Sequence, residues 1–164
     1  MKKRTAVIGA LVSLLPMAQP LIFGTGAVLT SAPVIFSVPE KAKAESAVFF
    51  YNRGIDKYDR GDYYGAIADY TKAIEINPRF ADAYYNRGNL KRDLEDYYGA
   101  IADYTKAIEI NPRYVEAIEN RGFAKSKLKD YEGACMDYRK ALSLGSQRLK
   151  TWIRGESGAW CRNM

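Results

Sequence analysis

Three sets of side chains in this 164-residue chain have types and spacings that could do chemistry. Arg53, Arg87 and Arg121 recur every 34 residues, and Asp69, Asp103 and Asp137 recur with them, 16 residues downstream of each arginine. Such a set can form bidentate ion pairs, or stand as an arginine row that grips acidic ligands. Pairing is favoured, because charges of both signs recur together and a buried arginine needs a partner. Asn52, Asn86 and Asn120 share the same period. A ladder of side-chain amides can hydrogen-bond an extended peptide backbone without demanding a particular sequence. Cys135 and Cys161 are the two cysteines. In an oxidising compartment an even count suggests a disulfide; otherwise they are two packed thiols.

Catalysis finds little to work with. The chain has no histidine, so histidine catalysis and histidine metal ligation are excluded. It shows no phosphate-cradling glycine loop, metal-ligand cluster or nucleophile elbow. Its acids recur at fixed positions interleaved with Lys and Arg, as on a solvated helical face. A non-enzymatic protein with no cofactor and no metal is expected. The net charge of +6 is uneven: residues 1–44 contribute 5 − 1 = +4, and the rest 20 − 18 = +2. A nucleic-acid binder would concentrate positive charge on the fold itself, so none is expected as a partner.

The elements that must position these side chains follow from a printed repetition. DYYGAIADYTKAIEINPR occurs at 62–79 and again at 96–113. Three 34-residue units align without gaps, at 47–80, 81–114 and 115–148. In the second unit, the pattern predicts helix A over 81–94 and helix B over 97–110. Gly88 and Ala100 are small enough for the two to pack antiparallel, and Tyr84, Ala100, Tyr104 and Ala107 form the seam. Asn111-Pro112 ends helix B, since a residue before proline avoids the helical region. Neither helix could bury its apolar stripe alone, so units must stack.

Period and pattern over residues 47–148 resemble the tetratricopeptide repeat. The resemblance implies an all-α fold, an α-α superhelix or solenoid of three helix-turn-helix repeats. The chain departs from the family pattern at Arg53, Arg87 and Arg121, where leucine is usual, and at Lys57 and Lys91, where an aromatic is usual. The ion pairs Arg53–Asp69, Arg87–Asp103 and Arg121–Asp137 would then bridge helices A and B of each unit.

The resemblance also implies that helix A lines a concave groove that holds a peptide segment of a partner. The groove positions are then Tyr51, Asn52 and Ile55; Tyr85, Asn86 and Asn89; and Glu119, Asn120 and Phe123. Tyr51 and Tyr85 would offer flat amphipathic area. Helix B is nearly invariant between the first two units while helix A differs, which fits either a diverging groove face or simple drift. Cytosolic co-chaperones of this family clamp a C-terminal carboxylate with two asparagines and three basic residues. The corresponding positions are Tyr51, Ile55, Asn86, Glu116 and Asn120; only Asn86 matches, and Glu116 would repel a carboxylate.

Both termini carry further expectations. MKKR followed by AVIGALVSLL matches the start of a secretory signal, with Ala42-Lys43-Ala44 as a cleavage site. The uncharged run from Thr5 to Val38 is also long enough to span a bilayer, though Pro16, Pro20 and Pro33 interrupt it. Residues 1–44 are therefore a cleaved signal or a retained membrane anchor, with an organelle transit role as the further alternative. Under the first two the remainder is exported: to the periplasm, to a thylakoid lumen, or anchored facing that side. At the other end, Leu144-Gly145-Ser146 replaces Asn-Pro, and Leu149, Trp152 and Ile153 make one apolar helical face. Residues 146–154 are expected to cap the stack, with the tail running to 164 and Cys161 returning to Cys135. The leading function is a protein–protein interaction module; the alternative is a self-assembling structural repeat protein, a homo-oligomer.

Overall fold

The computed structural model describes residues 39–155 and Cys161, within a compact unit of residues 37–164. The signal or anchor reading lies mostly outside the described residues. The described part consists of α1 (Glu40–Asp59), α2 (Tyr63–Ile76), α3 (Ala81–Asp93), α4 (Tyr97–Ile110), α5 (Val115–Lys127), α6 (Tyr131–Ser143) and α7 (Gln147–Arg154). No strand occurs among the described residues. Helices pair as α1–α2, α3–α4 and α5–α6, and the pairs join through α2–α3 and α4–α5, an all-α stack in series. Helix α1 runs without a break through Ala42-Lys43-Ala44. No described helix is long and apolar enough to cross a membrane.

Local signals set the helix ends. Asp62, Asp96 and Asp130 cap α2, α4 and α6, each carboxylate accepting from the backbone N–H three residues on at 2.9 Å. The preceding turns need a left-handed residue. Unit one supplies Gly61 at φ 79°, whereas units two and three force Glu95 (62°) and Lys129 (64°) into the same region. Asn77 and Asn111 leave α2 and α4 in extended conformation before proline. Their side chains accept from the N–H groups of Arg79 and Arg113 at 3.0 and 3.1 Å.

Each helix pair closes over a glycine. A Cβ on Gly88 would stand 2.8 Å from Cε1 of Tyr104, a ring with no solvent exposure. Gly54 against Tyr70 and Gly122 against Tyr138 repeat the arrangement. Leu90 is buried beside Ala66 and Tyr70, while Tyr84 sits half-buried at the margin of the seam. Gly88→Ala improves helix propensity by about 1 kcal/mol, but the overpacking costs more, about 1–3 kcal/mol. The variant should therefore have a lower urea midpoint at unchanged slope. A raised midpoint, as propensity alone dictates, would refute the close contact.

The stack ends in α7. Ser146 accepts from the Leu149 N–H at 3.2 Å, Leu149 is buried, and Trp152 packs edge-on against Tyr138 at 4.9 Å. Leu149 and Trp152 stand 34 residues after Val115 and Ile118, so the cap is in register with helix A of a fourth unit.

Candidate functional site

The three aspartates are buried at 3–4% exposure. Asp69 accepts from Arg53 at 2.7 and 2.5 Å, Asp103 from Arg87 at 2.9 and 2.6 Å, and Asp137 from Arg121 at 2.9 and 2.5 Å. Lys57, Lys91 and Lys125 add a second cation at 2.9 Å in each case. The period places Lys125 with the other two lysines, a third departure that sequence reasoning passed over. The remaining arginine arm reaches the preceding unit: Arg87 Nη1 donates to Thr71 at 2.9 Å and Arg121 Nη1 to Thr105 at 3.2 Å. Arg87 and Arg121 thus tie three helices each. Arg53 has no unit before it, and its side chain is 44% exposed against 15% and 17% for the others. Hydrogen bonding from Arg53 outweighs burial and, with Lys57, holds the Asp69 carboxyl below the usual carboxylate range.

The groove-side tyrosines and asparagines meet across the unit junctions. The Tyr51 hydroxyl accepts from Asn86 at 3.0 Å, and its ring packs on Phe80 at 4.8 Å. One unit on, Tyr85 accepts from Asn120 at 3.3 Å and packs on Tyr114 at 4.9 Å. Asn120 also donates to Asn89, whose carbonyl accepts from the Tyr104 hydroxyl. The amides of Asn86 and Asn120 therefore join neighbouring units. Asn52, in the first unit, has no preceding repeat to supply such a tyrosine, and it is exposed. At the third junction Glu119 takes the slot of Tyr51 and Tyr85, and Arg148 that of Phe80 and Tyr114. Glu119 is buried and accepts from both Ser146 and Arg148. It anchors the cap to α5.

Three adjoining clefts follow the helix-A side, all touching Arg92. A cleft of about 330 Å³ is lined by Ile55, Tyr58, Asn86 and Asn89. One of about 660 Å³ runs past Tyr85, Asn89, Glu116 and Asn120 to Arg148. The widest, about 790 Å³, lies between Arg92, Phe123, Lys127, Tyr131 and Trp152, with Glu119 and Asn120 at its floor. Tyr51 and Asn52 line none of these three. Phe123 and Tyr131 are exposed at 41% and 47%, and the Lys127 ammonium sits 5.3 Å from the Phe123 ring centre. Arg92 is held by two bonds to Asp93. Tyr131 from helix B and Trp152 from the cap were not among the expected groove residues. The signal for Trp152 was the amphipathic face of 149–153, read as a cap only; Tyr131 recurs with Tyr63 and Tyr97 at the start of each helix B. Among the described residues no cluster of three or more His, Cys, Asp or Glu could hold a metal.

A family model described as TPR repeat matches residues 54–93, and models described as tetratricopeptide repeat match 81–114 and 115–145. Together they cover more than half of the chain. Among solved structures, the first TPR of Spaghetti (RPAP3) bound to HSP90 peptide SRMEEVD is 27% identical, with a TM-score of 0.65, covering 71% of this chain and 94% of that one. The Arabidopsis OM64 TPR domain is 27% identical at a TM-score of 0.61, covering 74% and 94%. MamA is 28% identical at a TM-score of 0.60, covering 65% and 63%. A search of curated protein sequences finds no match.

Proposed function

The chain belongs to the tetratricopeptide repeat family, and on that premise we propose that it is an exported, non-enzymatic module that holds an extended segment of a partner protein in its groove. The observation that carries this reading is the wide cleft over α5 and the cap. There two exposed aromatics, Phe123 and Tyr131, stand beside Lys127 on a frame locked by hydrogen bonds between units. Rigid aromatic steps with a cation nearby suit a peptide carrying apolar and acidic side chains. The RPAP3 domain holds an acidic HSP90 peptide. This groove is a different one: Tyr51 stands where a clamp needs a cation, its hydroxyl already bonded to Asn86, and Glu116 would repel a carboxylate. Export rests on the cationic start, the apolar run behind it and the paired cysteines.

Asn86 and Asn120 hold units together, so their substitution would confound binding with folding. A photoreactive side chain at position 123 of the exported protein is the cleaner probe. It should crosslink a discrete partner, and the same probe at Tyr64, 76% exposed and lining none of the clefts, should not. Phe123→Ala with Lys127→Ala should weaken capture about tenfold or more, the scale of an interface hot spot. Equal capture by this double variant would refute the groove reading.

A further inference from the structure

The two ends of the stack are treated differently. At the C-terminal end, the outward face of α6 is covered by α7 and by the Cys135–Cys161 link. At the other end, α1 presents outward the stripe that α3 and α5 bury against a preceding helix B. In those helices the stripe is Ala83 and Leu90, or Ala117 and Ala124, all at 0–2% exposure. In α1 the same slots hold Phe49 and Asp56, and Phe49 is 58% exposed. The stripe also carries Glu45, Ser46, Asn52 and Arg53, all exposed. Arg53 keeps an Nη1 arm that no preceding threonine takes up, while Arg87 and Arg121 direct theirs across a junction.

We propose that this face of α1 docks on the same face of a second copy, in a two-fold dimer centred on Phe49. The spacing is self-complementary. With the two helices antiparallel and Phe49 against Phe49, Glu45 of each copy falls opposite Arg53 of the other, because each lies four residues from the centre. Ser46 falls likewise opposite Asn52, each three residues away, and Asp56 falls opposite the turn carrying Lys41 and Lys43. Residues 45, 49, 53 and 56 share one helical stripe, so these matches are made together. Charge complementarity of this kind selects one register and one orientation. The partner copy then supplies the acceptor that Thr71 and Thr105 supply inside the stack. Head-to-tail stacking is closed off, because the far end has its cap, with Arg139 where a threonine would be needed. An isologous contact on one open end gives a closed dimer and no filament. The groove on the neighbouring face of α1 stays free.

The test uses the full chain. Phe49→Cys should give a disulfide-linked dimer under mild oxidation, because the two-fold axis brings position 49 against itself. Tyr64→Cys, more exposed still, should not. Adding Glu45→Lys to Phe49→Cys sets two cations against each other and should cut the linked fraction about tenfold. In sedimentation, the detergent-solubilised wild type should be dimeric, and Phe49→Glu monomeric with unchanged helical circular dichroism. A Phe49→Glu variant that remains dimeric would show another face holding the copies and overturn the proposal. A monomeric wild type would also overturn it, and a Phe49→Cys thiol that then resists solvent reagents would assign the face to the chain's own residues 1–38.

Discussion

Asp103→Ala should cost about 3–5 kcal/mol, the loss expected when one partner of a buried ion pair is removed. The carboxylate is 3% exposed and serves two cations, Arg87 and Lys91, whose side chains are 15% and 23% exposed. Without it both cations remain in a half-dry junction with no counter-charge, and Arg87 loses the grip that aims its other arm at Thr71. Arg87→Ala should cost less, because Lys91 still neutralises Asp103. Asp69→Ala should also cost less than Asp103→Ala, because Arg53 is 44% exposed and water can take over. Urea unfolding of the three variants should give that order. If Arg87→Ala costs as much as Asp103→Ala, Lys91 does not share the load. Protons make a related cut. The folded-state pKa of Asp69 is depressed, so its contribution is complete above the unfolded value near 3.9 and is lost as pH falls below that through the folded value. Asp69→Asn should remove that part of the acid limb.

The aspartate clusters show what a single chain reveals and what it hides. Arg and Asp recur with opposite sign at a fixed offset, so the pairing was legible from spacing alone. The helix ends were legible too, as α4 spans 97–110 as expected, because Asp96 and Asn111-Pro112 are local signals. Contacts across a junction were not. Tyr51 meets Asn86, and Tyr85 meets Asn120, 35 residues apart. The period says that these slots recur, but not that they face each other, so both pairs read as groove lining. One clue was available. Tyr51 with Phe80, then Tyr85 with Tyr114, becomes Glu119 with Arg148, an aromatic pair exchanged for an ionic one. Two slots that change character together are in contact, and that change marks where the repeats stop and the cap begins.

Breaking the Cys135–Cys161 link by Cys161→Ser should lower stability by about 3–4 kcal/mol in the chain-entropy model. The linked residues are 26 apart in sequence with Cα atoms 5.3 Å apart, inside the range a disulfide needs. Both are buried, at 2% and 0% exposure. Cys135 occupies the slot of Ile67 and Ile101, and Arg139, in the slot of Thr71 and Thr105, donates to the Cys161 carbonyl at 3.1 Å. Cys161 therefore sits on the side of α6 that another unit would cover in a longer stack. The damage should be local: amide exchange should quicken in α7 and the adjoining face of α6, and stay slow in α3 and α4. Cys135→Ser should cost the same as Cys161→Ser, since either removes one shared bond. The comparison also reads out the compartment. Protein recovered from an oxidising space should lose the full amount on reduction, and protein made in a reducing cytosol should lose none. If the oxidised wild type and Cys161→Ser unfold at the same urea concentration, the sulfurs act only as packed apolar groups, and the end of the stack is held without a covalent link, by contacts such as Leu149, Trp152 and the Glu119–Arg148 pair.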